Sequence, residues 1–351
     1  MYILNRFFSL IMIFSLLFLS ACNGSGEKNS KQVSTNPASR TEFLMGTVVT
    51  VKIYDKDKDE IVDLAFNRIE NLARRITTEE TASEISQINQ NAGIRPVQVS
   101  KDIFTLTAAG KKYSELSDGS FDVTIGPLSN LWRIGFPDAR KPSQQEIDEV
   151  LPLIDYKKIK LNEDKQTVFL EKENMQIDLG GIAKGFITDE VVTLLKDNDV
   201  TSAVVDLGGN IYVLGKNAKG KKWTVGIQDP FSPRGEIIGS IQLTNKSVVT
   251  SGIYERYLEA KGEVYHHILN PEDGYPFDNE IAGVSVITEK SVDGDALSTL
   301  LFSKGIEDGL AFAEKLDGVE AVFVSKDNEV YLTEGLKGTF TLTNKNFQIK
   351  N

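Results

Sequence analysis
Three short stretches hold the residue types from which chemistry is built. In Ile177-Asp178-Leu179-Gly180-Gly181-Ile182-Ala183-Lys184-Gly185 a predicted strand delivers an acid into a turn whose missing side chains let a ligand reach main-chain groups. A helix is expected next, and its free N–H groups, with Lys184, suit an anion; Gly-Gly after a strand is also simply a tight turn. In Asp293-Gly294-Asp295-Ala296-Leu297-Ser298-Thr299, positions i and i+4 share a helical face, so Asp295 and Thr299 can present a carboxylate and a hydroxyl to one point. Such hard oxygens suit Mg²⁺ with water and phosphate completing the shell, whereas an Asp at a helix start is equally an ordinary N-cap. Tyr265 to Pro276 contains both histidines of the chain, His266 and His267, at the end of a predicted strand. Neighbours on a strand face opposite ways, so one imidazole can enter a site as a general base while the other packs or is solvated.

Two polar turns with aromatics nearby, Asp118 to Leu128 and Val249 to Tyr257, suit either a flat heterocycle or the core. The tetrapeptide Asp178-Leu179-Gly180-Gly181 recurs as Asp206-Leu207-Gly208-Gly209, but the second copy has no following lysine. Four matching residues fit a duplication and a coincidence of two turns equally well.

Composition removes several classes of function. The 351 residues carry 39 Lys and Arg against 50 Asp and Glu, a net charge of −11, which disfavours a nucleic-acid partner held by phosphate neutralisation. A lone cysteine, Cys22, excludes an intrachain disulfide framework, a thiolate zinc site and a C-x-x-C pair. The chain has neither G-x-G-x-x-G after its first strand nor G-x-x-x-x-G-K-[ST] nor G-x-S-x-G, so Rossmann, P-loop and serine-hydrolase chemistries are not indicated.

At the amino terminus Arg6 precedes Phe7 to Leu19, in which 11 of 13 residues are apolar, and then Leu19-Ser20-Ala21-Cys22. A basic start, a short apolar run and small residues before a cleavage point describe a secretory signal peptide over residues 1–21. The Leu-Ser-Ala-Cys run resembles a bacterial lipobox, which makes Cys22 the lipidation site and implies a membrane anchor at the extracytoplasmic face. Residues 22–40, rich in Ser, Asn and Gly, read as a flexible tether. Residues 41–351 form the folded body. Only Arg6, Lys28, Lys31 and Arg40 among the cations and Glu27 among the anions precede it, so its charge is near −14.

The elements that must position these residues are read from periodicity. Thr47 to Tyr54 alternates like a strand, and Ile61, Leu64, Ala65, Ile69, Leu72 and Ile76 form one helical stripe. A second helix is expected around Ile103 to Tyr113, a short one behind the Ser143/Glu146 capping box, and one from near Gly181 to Leu195. Strands are expected at 203–214, 223–228, 237–244, 256–258 with 264–268, and 283–288 before a helix, with a last hairpin at 321–325 and 330–333. Mixed elements without regular βαβ alternation imply an α+β fold with mixed or antiparallel sheets and packed helices.

Taken in order, Phe43-Leu44-Met45-Gly46-Thr47, Phe121 to Leu128, Asp178 to Gly185, Val204 to Gly215, Thr250 to Tyr257, His267 to Pro276 and Asp295 to Thr299 resemble the ApbE family, the FAD:protein FMN transferases. The resemblance implies a two-lobed single catalytic body. It also implies Mg²⁺-dependent transfer of FMN from FAD, as substrate, to a Ser or Thr hydroxyl of an acceptor protein with release of AMP. By position Met45, Ser120, Phe121, Asp122, Asp178, Lys184 and Ile268 would line the FAD site, the Gly181 carbonyl, Asp295 and Thr299 would hold the metal, and His267 would be catalytic. The implied acceptor is an extracytoplasmic redox subunit with a D/S-G-A-S/T-like motif. In the loop before Ser83-Glu84-Ile85-Ser86, where many relatives have tyrosine, this chain has Arg75-Ile76-Thr77-Thr78-Glu79-Glu80. An FAD pyrophosphatase giving FMN and AMP, and a non-catalytic flavin-binding lipoprotein, are the alternatives.

Overall fold
A computed structural model describes residues 33–350, so the signal segment, Cys22 and the first part of the tether lie outside the described residues. Among those residues the largest sheet has nine strands, in the order β1-β2-β6-β7-β10-β13-β14-β15-β17. β2 (Thr47–Asp55) follows its alternation, with Val49, Val51 and Ile53 fully buried. β6 (Ala203–Leu207) and β7 (Asn210–Leu214) form a hairpin, and β10 (Lys246–Gly252), β13 (Ile281–Thr288) and β14 (Glu320–Ser325) continue the antiparallel run. β15 (Glu329–Leu332) pairs antiparallel with β14 and parallel with β17 (Gln348–Lys350). Every residue of β13 is buried, as expected at a sheet centre covered on both faces.

One correction concerns the tether. β1 (Val33–Leu44) is the edge strand, paired with β2 from Ala38↔Ile53 to Leu44↔Thr47, so residues 33–40 belong to the body. An edge strand needs main-chain pairing on one side and no apolar alternation, which is why a polar stretch could join unseen. Arg40 binds it further: its guanidinium lies 4.5 Å over the Phe66 ring and 3.1 Å from Asp63.

α1 (Asp59–Ile76) buries Ala65, Ile69, Leu72 and Ile76 of the expected stripe, but Val62 and Phe66 face the core in place of the expected Ile61 and Leu64, and Leu64 is 45% exposed. α2 (Glu84–Gln90) is capped by Ser83, and α3 (Lys101–Leu116) buries Ile103, Leu106 and Tyr113. Short α4 (Gly126–Trp132) and α5 (Gln144–Val150) come next, the latter with the expected Ser143/Glu146 capping box. α6 (Ala183–Asp197) starts two residues later than its sequence expectation, and α7 (Ser291–Ala313) is broken at Gly305, whose φ of 77° is not helical. Three smaller sheets complete the α+β fold: β3-β5-β4 (Val97–Gln98, Thr167–Leu170, Ile159–Asn162), β16-β9-β8 (Thr341–Leu342, Ile237–Leu243, Trp223–Gln228) and β11-β12 (Tyr257–Ala260, Glu263–His266).

The packing of α6 on α7 sets the site. Gly185 lies so close to α7 that an added Cβ would sit 2.7 Å from both the Ser291 carbonyl carbon and the Asp295 Cβ. Asp189 of α6 then accepts from the N–H groups of Ser291 (2.7 Å) and Val292 (2.9 Å), capping α7 from a neighbouring helix. Asp295 therefore sits within the helix and is not its N-cap.

Candidate active site
A cavity of about 1170 Å³ opens between the β1–β2 turn, the Ser120 turn, the Asp178 turn, the start of α7 and the β10–β12 segment. It exceeds the roughly 300–1000 Å³ of most small-molecule sites. All eleven residues singled out within the body line it: Met45, Ser120, Phe121, Asp122, Asp178, Gly181, Lys184, His267, Ile268, Asp295 and Thr299.

Asp295 is 4% exposed. Its Oδ2 accepts the Gly185 N–H at 2.8 Å, and its Oδ1 lies 3.7 Å from Lys184 Nζ, close enough for attraction but long for a hydrogen bond. That second oxygen retains acceptor capacity. One turn on, Thr299 presents Oγ1 3.7 Å from where a Gly181 Cβ would stand, so a side chain at 181 would touch this hydroxyl and clash with the Phe121 ring, 2.9 Å away. Among the described residues no group of three or more His, Cys, Asp and Glu side chains is arranged around a metal position. A cation at Asp295 and Thr299 would therefore rely on one carboxylate, neutral oxygens and phosphate. Mg²⁺ is commonly held this way at phosphoryl-transfer sites, so the donor set fits that ion.

His267 comes directly after β12. Its backbone N–H donates to the Arg256 carbonyl at 3.1 Å, and its Nδ1 lies 3.2 Å from the same oxygen. A carbonyl only accepts, so Nδ1 carries the proton and Nε2 is left as the basic nitrogen. Burial, then the Arg256 guanidinium, pulls the imidazole below its usual pKa, to about 3, which keeps it neutral near pH 7. Its neighbour His266 faces the other way and packs, 5.5 Å edge-on to Phe302 of α7.

Two expected ligand contacts look different in three dimensions. The Asp122 carboxylate accepts from Thr124 N, Thr124 Oγ1 and Tyr156 N at 2.7–3.0 Å, so it fixes its own turn and ties it to the segment at Tyr156. Ser120 Oγ donates to Ser117 O and accepts from Ser303 Oγ. Sequence reasoning missed Arg133, Arg234 and Phe136 on the cavity wall. Arg133 is paired with Glu79 and Asp138, and Arg234 with Glu255. A left-handed Arg133 closing a seven-residue helix leaves no periodic signal to find it by. The loop lacking a tyrosine contributes Thr77, Thr78 and Glu79, and the exposed aromatics at the cavity come from Phe43, Phe136 and Tyr257.

This geometry has known counterparts. Residues 45–323 match the model of the ApbE family. The chain belongs to that family. An FAD:protein FMN transferase of Klebsiella pneumoniae is 38% identical over 311 residues, covering 89% of this chain and 96% of that protein. One of Treponema pallidum is 34% identical, with 85% and 87% covered. Among solved structures, the ApbE protein of Thermotoga maritima aligns with a TM-score of 0.79 at 29% identity, over 86% of this chain and 99% of that one. The flavin transferase ApbE from Vibrio cholerae aligns with a TM-score of 0.76 at 26% identity, over 86% and 98%. The α+β architecture expected for an ApbE-family body is thus the one observed. Lipidation of Cys22 falls outside the described residues. Among the described ones no helix is long and apolar enough to cross a membrane.

Proposed function
We propose that this ApbE-family enzyme transfers FMN from FAD to a Ser or Thr hydroxyl of an acceptor protein, releasing AMP, with Mg²⁺ held by Asp295, Thr299 and the Gly181 carbonyl. The observation that supports this most is the tautomer of His267, which leaves Nε2 as the basic nitrogen of a residue lining the same cavity as Asp295 and Thr299. The acceptor oxygen attacks the FMN phosphorus, its proton passes to Nε2, and the bond to the AMP oxygen breaks. Lys184 and Arg256 supply local positive charge for the diphosphate, which a body of charge near −14 cannot attract by its overall field. When bound, Mg²⁺ neutralises charge on the diphosphate and on the departing phosphate. Met45, Phe121 and Ile268 offer apolar wall to the ligand, and Ser120 and Asp178 polar wall. With Cys22 lipidated, the acceptor would be an extracytoplasmic redox subunit at the same membrane.

The test is incubation with FAD, MgCl₂ and a peptide carrying a D/S-G-A-S/T motif, read by intact mass. A gain of one FMN on the peptide is expected, lost on chelation and in Asp295→Ala, and reduced about 10²–10⁴-fold in His267→Ala. Free FMN and AMP with an unmodified peptide would make the chain a pyrophosphatase; tight FAD binding without turnover, indifferent to Mg²⁺, would make it a binding protein. The acid side of the kcat/KM profile is a second check. A depressed pKa keeps the base form present on acidification, so the rate should hold through pH about 6.5 and fall only toward the value of about 3. A limb at the ordinary histidine value would mean that burial does not depress the His267 pKa, and its disappearance in His267→Ala would still assign it to that ring.

A further inference from the structure
The buried histidine that the proposed chemistry leaves unused occupies a bridging place. His266 is 8% exposed. Its Nδ1 lies 3.3 Å from the backbone N–H of Ile268, which can only donate, and its Nε2 lies 2.9 Å from the carbonyl of Phe277, which can only accept. Both partners demand one state of the ring: neutral, with the proton on Nε2. The ring thus ties the residue after His267 to the far end of the turn, where Phe277 N also donates to Ile268 O at 3.0 Å. On its other side it meets the edge of Phe302, on the helix that carries Asp295 and Thr299. A single side chain therefore touches both halves of the site, the turn presenting the base and the helix presenting the hard oxygens.

We propose that His266 is a positioning residue, fixed as the Nε2–H tautomer, that holds the His267 turn in register with helix α7. Phenylalanine could fill the same space against Phe302, yet it could neither accept from Ile268 nor donate to Phe277. The main chain around His267 would then keep β12, the His267–Arg256 bond and the Ile268–Phe277 pair but lose both ring bonds that cross the turn. A misplacement of about 1 Å in a reacting group costs on the order of 10²-fold in rate, so a small loss of register is enough to be measured. The two ring bonds make separable demands: Asn preserves a short acceptor for Ile268, and Gln a longer donor toward Phe277.

The inference rests on His267 being the base, and the experiment separates the two. In the full chain two histidines give four ring nitrogens, so ¹⁵N labelling resolves each tautomer without any assay of activity. His266 should show a protonated Nε2 and a bare Nδ1, the reverse of His267; a proton on Nδ1 of His266, or a charged His266 at pH 8, overturns the proposal. In turnover, His266→Phe should lower kcat about 10²-fold while KM for FAD stays near the parent value, with His266→Asn or His266→Gln recovering part of the loss. Combined with His267→Ala, His266→Phe should cost nothing further, since it acts through the missing ring. Independent, multiplying losses, or a change in KM alone, would overturn the positioning role. Should His267→Ala keep parental activity, the base assignment fails, while the tautomer measurement still judges His266.

Discussion
The same four residues, Asp-Leu-Gly-Gly, make two different objects in this molecule. At 178–181 the Asp178 Oδ1 accepts from Gly180 N at 2.8 Å, and the chain passes through Ile182 into α6. At 206–209 the Asp206 Oδ1 accepts from Gly209 N at 2.8 Å, both glycines have positive φ (67° and 94°), and Leu207 pairs directly with Asn210 across a two-residue hairpin. That backbone is the mirror-type turn that fits the twist of paired strands and demands residues tolerant of positive φ. The residues on the carboxyl side of each turn decide the outcome. Ala183-Lys184-Gly185-Phe186 enters a helix, whereas Ile211-Tyr212-Val213 is β-branched and aromatic and returns as a strand. The tetrapeptide supplies a local bond; Gly208 of the second copy also reaches the cavity wall, but only the first copy sets a glycine against Thr299.

The comparison predicts opposite phenotypes for one substitution at each turn. The largest effect is expected at Gly181→Ala, where the new methyl meets Phe121 at 2.9 Å and narrows the approach to Thr299. FMN transfer should fall about 10²-fold with the melting temperature little changed; a fully active variant would mean that the Gly181–Thr299 pair does not bind the reacting groups. Gly208→Ala should do the reverse. A Cβ there stands 2.6 Å from Thr47 Cγ2 at a φ of 67°, so urea titration should find a loss of about 2 kcal/mol while turnover per folded molecule falls far less than in Gly181→Ala. Equal stability of the two variants would dissolve the contrast.

The smallest effect is expected at Asp206→Asn. The amide oxygen can still accept from Gly209, and burial holds the Asp206 carboxyl above its ordinary pKa. A carboxyl raised on folding binds its proton more tightly in the native state, so the parent loses stability as pH rises from about 3.9 through the higher native value. The variant carries no such proton. Melting curves should coincide at low pH and diverge above that window in favour of Asn by less than about 1 kcal/mol. A variant less stable at pH 7 would mean that the attraction of Arg234 and Lys52 for the carboxylate outweighs its burial.

Much of the fold is legible in the sequence because it is local. The β2 alternation and the Ser143/Glu146 box each satisfy themselves within a few residues and return unchanged, while the α1 helix returns with its buried face turned onto Val62 and Phe66 in place of Ile61 and Leu64. Spacing alone puts Asp295 and Thr299 on one face, since i and i+4 neighbours share it in any α-helix. What spacing misses or leaves open is settled by partners from far along the chain. Polar residues 33–40 enter the sheet because β2 offers an unpaired edge. Asp295 is freed from capping because Asp189, over a hundred residues earlier, takes that task.

What the sequence determined by itself was therefore the inventory and its short-range order: which residues could act as base, carboxylate or hydroxyl, and which turns and helices would carry them. Only the tertiary structure decided which of two adjacent histidines faces the cavity, which Asp-Leu-Gly-Gly turn sets a glycine against Thr299, and that Asp122 spends its carboxylate joining its turn to the segment at Tyr156. Those outcomes depend on burial and on hydrogen-bond donors from distant segments. A buried polar group must find its partner wherever the fold brings one, and that requirement is not written in the spacing of neighbours.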